Sequence, residues 1–334
     1  MTAITLGHRL LDDYLVFVAA RARSNTWLAI AWDLKVFFGV VGKPPAEVSA
    51  ADVFAFLAAQ RAPRRGERVV RLDDGEAGLA ARTIARRLSS VRGLYAYLVV
   101  RGDAGVVGNP VPGSLAARRP SGRRGNGGVP LIRTPRTLPR VLSPGEVDAL
   151  VGALRTHRDR AMVEAMLLGG LRRCEVLGLR LDDLNVGERR VFVAEGKGGR
   201  QRMVPVSARF FASLGDYLDQ ERPLASTDRV FVVLKGPRRG EPLSAAGLDE
   251  VLDGARGRAG LTQATCHQLR HTCFTRLREA GMALEAIQAQ AGHASIDSTR
   301  IYLHLANDWL EREYLRAAEA IEAQVVASGE AAGE

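Results

Sequence analysis

Cysteine is scarce in this chain. The three present, Cys174, Cys266 and Cys273, are too few and oddly numbered for a disulfide framework, which points to a reducing compartment and, by default, to the cytoplasm. Long apolar runs are also missing: none reaches the roughly eighteen residues that a membrane span needs, and acidic residues arrive by Asp12 before a signal-like apolar core can form. A third absence is local. From Gly113 to Arg140 there is no Asp or Glu at all, while seven arginines (Arg118, Arg119, Arg123, Arg124, Arg133, Arg136 and Arg140) fall there. They account for most of the net charge of +10, which with a pI near 10.1 favours a polyanionic partner. What the chain does have is size and apolar content: 334 residues, 46% of them hydrophobic, suffice for two buried cores.

The acid-free stretch is rich in Gly, Pro and Arg and shows no sustained apolar period, so it reads as a linker that lies along a phosphate backbone. This predicts an N-terminal domain over 1–112, a basic linker over 113–140 and a second domain with a tail over 141–334. Apolar spacing before the linker is helical throughout. One stripe is Leu10, Leu11, Tyr14, Leu15 and Val18; a second runs from Trp27 to Phe38 after a cap-like Ser24. A third short helix carries Val53, Phe54 and Leu57 after Ser49, and a fourth carries Ile84, Leu88, Val91, Tyr95 and Leu98, with a polar loop over 61–78 between them.

After the linker, Ser143-Pro144-Gly145-Glu146 combines a Ser cap, a Pro at the first helical position and a Glu three residues after the cap. Helical spacing persists to Leu168. The period then shortens: 190–193 and 202–206 read as strands flanking a glycine-rich turn at 195–199, a hairpin. From Leu243 onward the spacing is helical again. The expected fold is mainly α with a small antiparallel β-sheet, and no internal repeat of fixed period occurs.

Four local patterns in the second domain carry chemistry: GLRRCEVLGL around Arg172, EGKGGRQRMVPV around Lys197, HQLRH over 267–271, and AGHASIDSTRIYLHL, which holds His293 and Tyr302. In that order they resemble the signature of the tyrosine recombinase family, the phage integrases and Xer-type site-specific recombinases, over roughly 141–305. More loosely, RTIARRLSSVRGLYAYLVVRG and the closing Asn109-Pro110 resemble the family's helical DNA-clasping domain. The sequence departs from the commoner pattern at Ala291, where Leu often precedes the Gly-His pair, and at Arg173 and Cys174.

The resemblance implies an enzyme that breaks and rejoins DNA through a 3′-phosphotyrosine link and a free 5′-hydroxyl, without ATP, metal or other cofactor. It implies double-stranded recombination sites as partner, a homotetramer in the synaptic complex, and a monomer or weak oligomer when free. The chemistry of the residues agrees. Charge builds on the non-bridging oxygens of a phosphodiester as it breaks, and Arg supplies a planar fork to meet it, which Arg172 and Arg270 would provide. A tyrosine hydroxyl, with a pKa of about 10, attacks at neutral pH only with help from a base or cations. Tyr302 is the expected nucleophile, His267 its base, His293 a donor to the phosphate, and Lys197 the acid that protonates the departing oxygen. Glu175 and His271 are expected as supports, Glu175 either orienting its neighbours or standing on the helix surface. Cys266, His267, His271 and Cys273 lie close in sequence but lack the paired spacing of a zinc site.

Two other functions share these features: a type IB topoisomerase-like relaxing enzyme, and a DNA-binding regulator without catalysis. Beyond Tyr302, the residues Leu305, Trp309, Leu315, Ile321, Val325 and Val326 predict a terminal helix that docks on its own domain or on a neighbour, ahead of a disordered end.

Overall fold

Apolar stripes at helical spacing become helices wherever a cap starts them and a partner covers them. In the computed structural model the described residues are 4–62, 78–113, 130–134, 139–194, 201–293, 298–300 and 302. They belong to two compact units, residues 1–136 and 137–334.

The first unit is built on α1 (Arg9–Arg21), α2 (Ser24–Val41), α3 (Ala50–Arg61) and α4 (Ala81–Arg101). Leu11, Leu15 and Val18 of α1 meet Ala31, Leu34 and Phe37 of α2, and Leu88, Val91, Tyr95 and Leu98 of α4 close the same core. Ser49 caps α3 in a reciprocal box with Asp52, which satisfies amides the helix leaves open. Two expectations need correction. Ser24 is the first residue of α2 rather than its cap, the cap position falling to Arg23 without a side-chain hydrogen bond. On α3, Phe54 is 43% exposed and Phe56 is buried instead, because Val53 and Phe56, three residues apart, share the face turned to Phe37. The expected loop after α3 lies mostly outside the described residues.

The second unit opens with α5 (Pro144–Gly152), started by the predicted Ser143–Glu146 capping box, and continues with α6 (His157–Leu168) and α7 (Arg173–Gly178). Strands β1 (Leu184–Asn185), β2 (Arg190–Val193) and β3 (Arg202–Pro205) form an antiparallel sheet in sequence order. Val191 pairs with Val204 and Val193 with Arg202, so these four share one face of the hairpin. Helices α8 (Ala208–Asp216), α9 (Ala245–Arg258), α10 (Cys266–Glu279) and α11 (Leu284–Ala291) follow. Helix α6 is buried along nearly its whole length and packs on α8 and α10, which fixes α10 over the core. Among the described residues no helix is long and apolar enough to cross a membrane.

Candidate active site

Each polar side chain of the site stands at an element end. Arg172 is the N-cap residue of α7, and Glu175 sits in that helix's first turn. The turn before it is tight: Gly170 has a φ of +67°, and a Cβ there would overlap the Phe274 ring, so glycine is required on both counts. His267, Arg270 and His271 occupy the first turns of α10. Gly292 ends α11 in the left-handed conformation and turns the chain into His293.

Glu175 is the hub of the positive groups. Its side chain is fully buried and accepts from the Arg172 amide at 2.8 Å and the Arg172 guanidinium at 2.7 Å. Arg202 closes on both carboxylate oxygens, at 3.0 and 2.9 Å, and an Arg270 nitrogen lies at 3.8 Å. Burial alone would push this carboxyl up, but the hydrogen bonds from Arg202 and Arg172 outweigh it and hold the group at about 2. Glu175 is therefore a buried anion, and the helix-surface reading is wrong. One carboxylate among three guanidiniums leaves a net positive charge on the cluster.

Arg270 is buried and held on all sides. It donates to the Gly170 carbonyl and, at 2.7 Å, to the Ala291 carbonyl, stacks over the Phe274 ring at 4.8 Å, and reaches within 3.4 Å of His293 Nε2. Burial and the neighbouring Arg172 lower its pKa to about 10, so it remains a cation at neutral pH. Planar stacking with two fixed carbonyl contacts is work for a guanidinium and not for an ammonium.

Tyr302 is 1% exposed and packs with Cys273, Phe274, Ile287 and Ala291. The His293 ring runs parallel to it, 8° off with centroids 6.4 Å apart, and His293 Nδ1 is 2.9 Å from the Thr299 hydroxyl. The phenol oxygen lies 3.1 Å from His271 Nδ1, and His271 Nε2 lies 2.8 Å from His267 Nε2. Burial pushes Tyr302 up to about 12 against the pull of Arg270. Burial, His267 and Arg270 push His271 down to about 4, and burial with Arg270 and Arg172 lowers His267. At rest the Tyr302 phenol and the His271 and His267 imidazoles are neutral.

Of the residues expected from sequence, Arg172, Glu175, His267, Arg270, His271, His293 and Tyr302 come together. The neighbour of the Tyr302 hydroxyl is His271 rather than His267. Lys197 lies outside the described residues, as do Arg118, Arg119, Arg123, Arg124, Arg136 and the tail beyond Tyr302. Arg133 is exposed. Arg140, expected on DNA, pairs with Glu146 of the α5 capping box and lies 3.3 Å from the Thr262 hydroxyl. Cys266 turns to Asp249 at 3.9 Å, away from the two histidines, and among the described residues no three His, Cys, Asp or Glu side chains are gathered as metal ligands.

Sequence reading missed Arg202 and Gln290. Arg202 Nε donates to the Gln290 carbonyl at 3.0 Å, and the Gln290 amide donates to the Gly169 and Pro205 carbonyls at 3.1 and 3.0 Å. Strand parity would have found the arginine: two residues before the buried Val204, it must point inward.

Residues 140–308 match the phage integrase family, and residues 11–102 match the phage integrase N-terminal SAM-like domain. A tyrosine recombinase XerD of Mycobacterium tuberculosis (strain ATCC 25618 / H37Rv) is 36% identical over 270 residues, covering 77% of this chain and 78% of the relative. A tyrosine recombinase XerC of Xylella fastidiosa (strain 9a5c) is 30% identical over 321 residues, 92% of this chain and 95% of that one. The same fold is seen in the Tn1549 transposon integrase in complex with transposon right end DNA (TM-score 0.67, 18% identity, 94% of this chain and 100% of that chain). It is seen again in the XerH site-specific recombinase bound to a palindromic difH substrate (TM-score 0.63, 18% identity, 94% and 90%). The chain belongs to the phage integrase family of tyrosine recombinases, enzymes that cleave and rejoin DNA strands.

Proposed function

We propose that this site-specific recombinase uses Tyr302 as its nucleophile on duplex recombination sites. The observation that carries the assignment is the juxtaposition of a buried phenol with a histidine pair and a net-positive arginine cluster. Arg172 and Arg270 meet the non-bridging oxygens of the scissile phosphate, and His293 donates to the same group. Attack by Tyr302 joins the enzyme to the 3′-phosphate, and Lys197 protonates the departing 5′-oxygen. A 5′-hydroxyl from a second duplex reverses the step and completes the exchange. The basic residues of 113–140 follow the DNA backbone as a tether between the two domains.

Exchange between two duplexes calls for four protomers, and a solved relative, the lambda integrase, is a tetramer bound to a Holliday junction. The free protein is a monomer or weak oligomer. Its three cysteines are free, in keeping with action in the cytoplasm. The topoisomerase and idle-regulator readings find no support in the comparisons.

The decisive experiment is covalent capture on a nicked suicide duplex. Tyr302→Phe should bind DNA and give no covalent product; product at the wild-type level overturns the assignment. Lys197→Ala should be slow on ordinary DNA, on the order of 100-fold, and recover on a substrate with sulfur at the 5′-bridging position, because a thiolate departs without a proton.

A further inference from the structure

Tyr302, His271 and His267 form one continuous hydrogen-bonded chain leading from a buried hydroxyl to an exposed imidazole. The oxygen of Tyr302 meets Nδ1 of His271, and Nε2 of His271 meets Nε2 of His267. The two histidines stand four residues apart on α10, so one helical turn sets their spacing and their rings meet edge to face at 4.2 Å. We propose that His271 takes the proton of Tyr302 and delivers it to His267, so that nucleophile formation and a new cation three residues from Arg270 arise in the same movement. The proposal rests on Tyr302 being the nucleophile.

Direction along the chain follows from acidity. The phenol is the strongest acid of the three groups, so it donates to His271 Nδ1. That fixes His271 as the tautomer with its proton on Nε2, which donates to His267 Nε2, and His267 in turn carries its own proton on Nδ1. Every donor then has an acceptor and the proton path is already in place.

Burial explains why one histidine is not enough. The groups facing His271 are Tyr302 from the C-terminal segment, His267 and Arg270 on its own helix, and His293 after α11. The site is half dry, Arg270 is a cation, and a charge on His267 would repel one on His271, so a proton does not rest on His271. His267 is exposed. A cation on it is solvated, and a bound phosphate offsets the repulsion from Arg172 and Arg270. His271 is thus the way through, and His267 the place where the proton stays.

The balance of the step is simple. The Tyr302 O–H bond breaks as His271 Nδ1–H forms, and His271 Nε2–H breaks as His267 Nε2–H forms. The phenolate electron pair makes the O–P bond while the bond from phosphorus to the 5′-oxygen breaks, and that oxygen takes its proton from the general acid. Rejoining runs the same transfers backwards.

The test is single-turnover covalent capture with the full chain on saturating suicide duplex. His271→Gln keeps most of the volume and a hydrogen-bonding amide but cannot carry a proton. It should bind DNA normally and capture on the order of 100-fold more slowly. Ring fluorination of Tyr302, introduced as a fluorotyrosine, acidifies the phenol and removes the need for a base. Placed in His271→Gln it should recover about tenfold or more of the loss, measured against the fluorinated parent. The double variant with His267→Ala should be no slower than His267→Ala alone, since both lie on one path. Wild-type capture by His271→Gln overturns the relay, as does a slow rate that fluorination leaves slow, or a multiplicative double variant. Covalent product from Tyr302→Phe would instead overturn the active-site assignment beneath it.

Discussion

Among the described residues each unit has a buried carboxylate that meets more than one arginine, and the two clusters differ in how much of the surplus positive charge is itself buried. In the first unit Asp33 of α2 is 2% exposed and is met by Arg86 at 2.7 Å, by Arg87 at 3.8 Å and by the Ser90 hydroxyl at 2.8 Å, all from α4. Arg86 is half in solvent, and Arg87 turns its other end to Gln60. That arrangement clips two helices together. In the second unit Glu175 meets three guanidiniums that are themselves largely buried, from α7, β3 and α10, and beside them stand three imidazoles and a phenol. The anion is the same device in both places. What differs is how much positive charge it leaves unanswered, and whether a group able to react stands next to that charge.

The sharpest break between the two clusters should come from exchanging Arg for Lys, which keeps charge and removes the planar fork. Arg270→Lys loses the paired contacts to the Gly170 and Ala291 carbonyls and the stacking on Phe274. Covalent capture should fall on the order of 100-fold or more, the usual effect of losing one donor to a developing oxyanion. Arg86→Lys, a half-exposed group with one ion pair, should leave capture unchanged and cost well under about 1 kcal/mol of stability. Equal effects at the two positions would show that charge alone matters at Arg270.

Removing the anion is the next largest effect. The Glu175 carboxyl titrates at about 2 in the folded chain against 4.5 for the free side chain. A folded value below the unfolded one adds stability that is complete above about 4.5 and disappears as pH falls through 2. The difference corresponds to about 3 kcal/mol. Glu175→Gln should lose about that much at neutral pH, and its unfolding free energy should be flatter than the parent's between pH 4.5 and 2. Urea titrations at several pH values measure both. An undiminished slope in the variant would assign the acid sensitivity to other carboxylates.

Arg202→Gln ranks third. It removes two hydrogen bonds to Glu175 and one to the Gln290 carbonyl, three residues before His293. Stability should fall by about 2 kcal/mol, in the range of hydrogen bonds to charged groups, and capture should slow through misplacement of His293. Added guanidinium should not restore it if Arg202 is a strut; recovery would move Arg202 to the phosphate.

How much of this was legible in the sequence depends on the kind of signal. A helix started by a capping box, such as α5, was visible from its first turn, because a cap is a local property, whereas on α3 the apolar run hid which phenylalanine faces the core. The motif residues were visible as a set, and family resemblance ordered them. Their partners were not. Glu175 looks like any first-turn glutamate until Arg202 and Arg270 arrive from 27 and 95 positions away to surround it. Since His267 and His271 share a face of α10, spacing alone cannot say which of them lies beside the Tyr302 hydroxyl. Asp33 sits inside an apolar run between Trp32 and Leu34, where only the arrival of α4 explains an acid.

Asp33→Asn is the mildest of the predicted charge removals and tests the comparison from its quiet side. The substitution keeps shape and leaves an oxygen to accept from Ser90, so one hydrogen bond survives. Arg86 can turn its guanidinium fully into water, and Arg87 keeps Gln60. Removing a carboxylate whose cations can be rehydrated should therefore cost about 1 kcal/mol, well below the loss expected at Glu175, where Arg202 and Arg270 have nowhere to go. The reacting groups belong to the second unit, so capture at saturating DNA should proceed at the parental rate while the melting temperature falls by a few degrees. A loss as large as that of Glu175→Gln would mean that burial of the anion, and not the solvent access of its cations, sets the cost. A slower capture step at saturating DNA would give the first unit a part in the chemistry and erase the distinction between the two clusters.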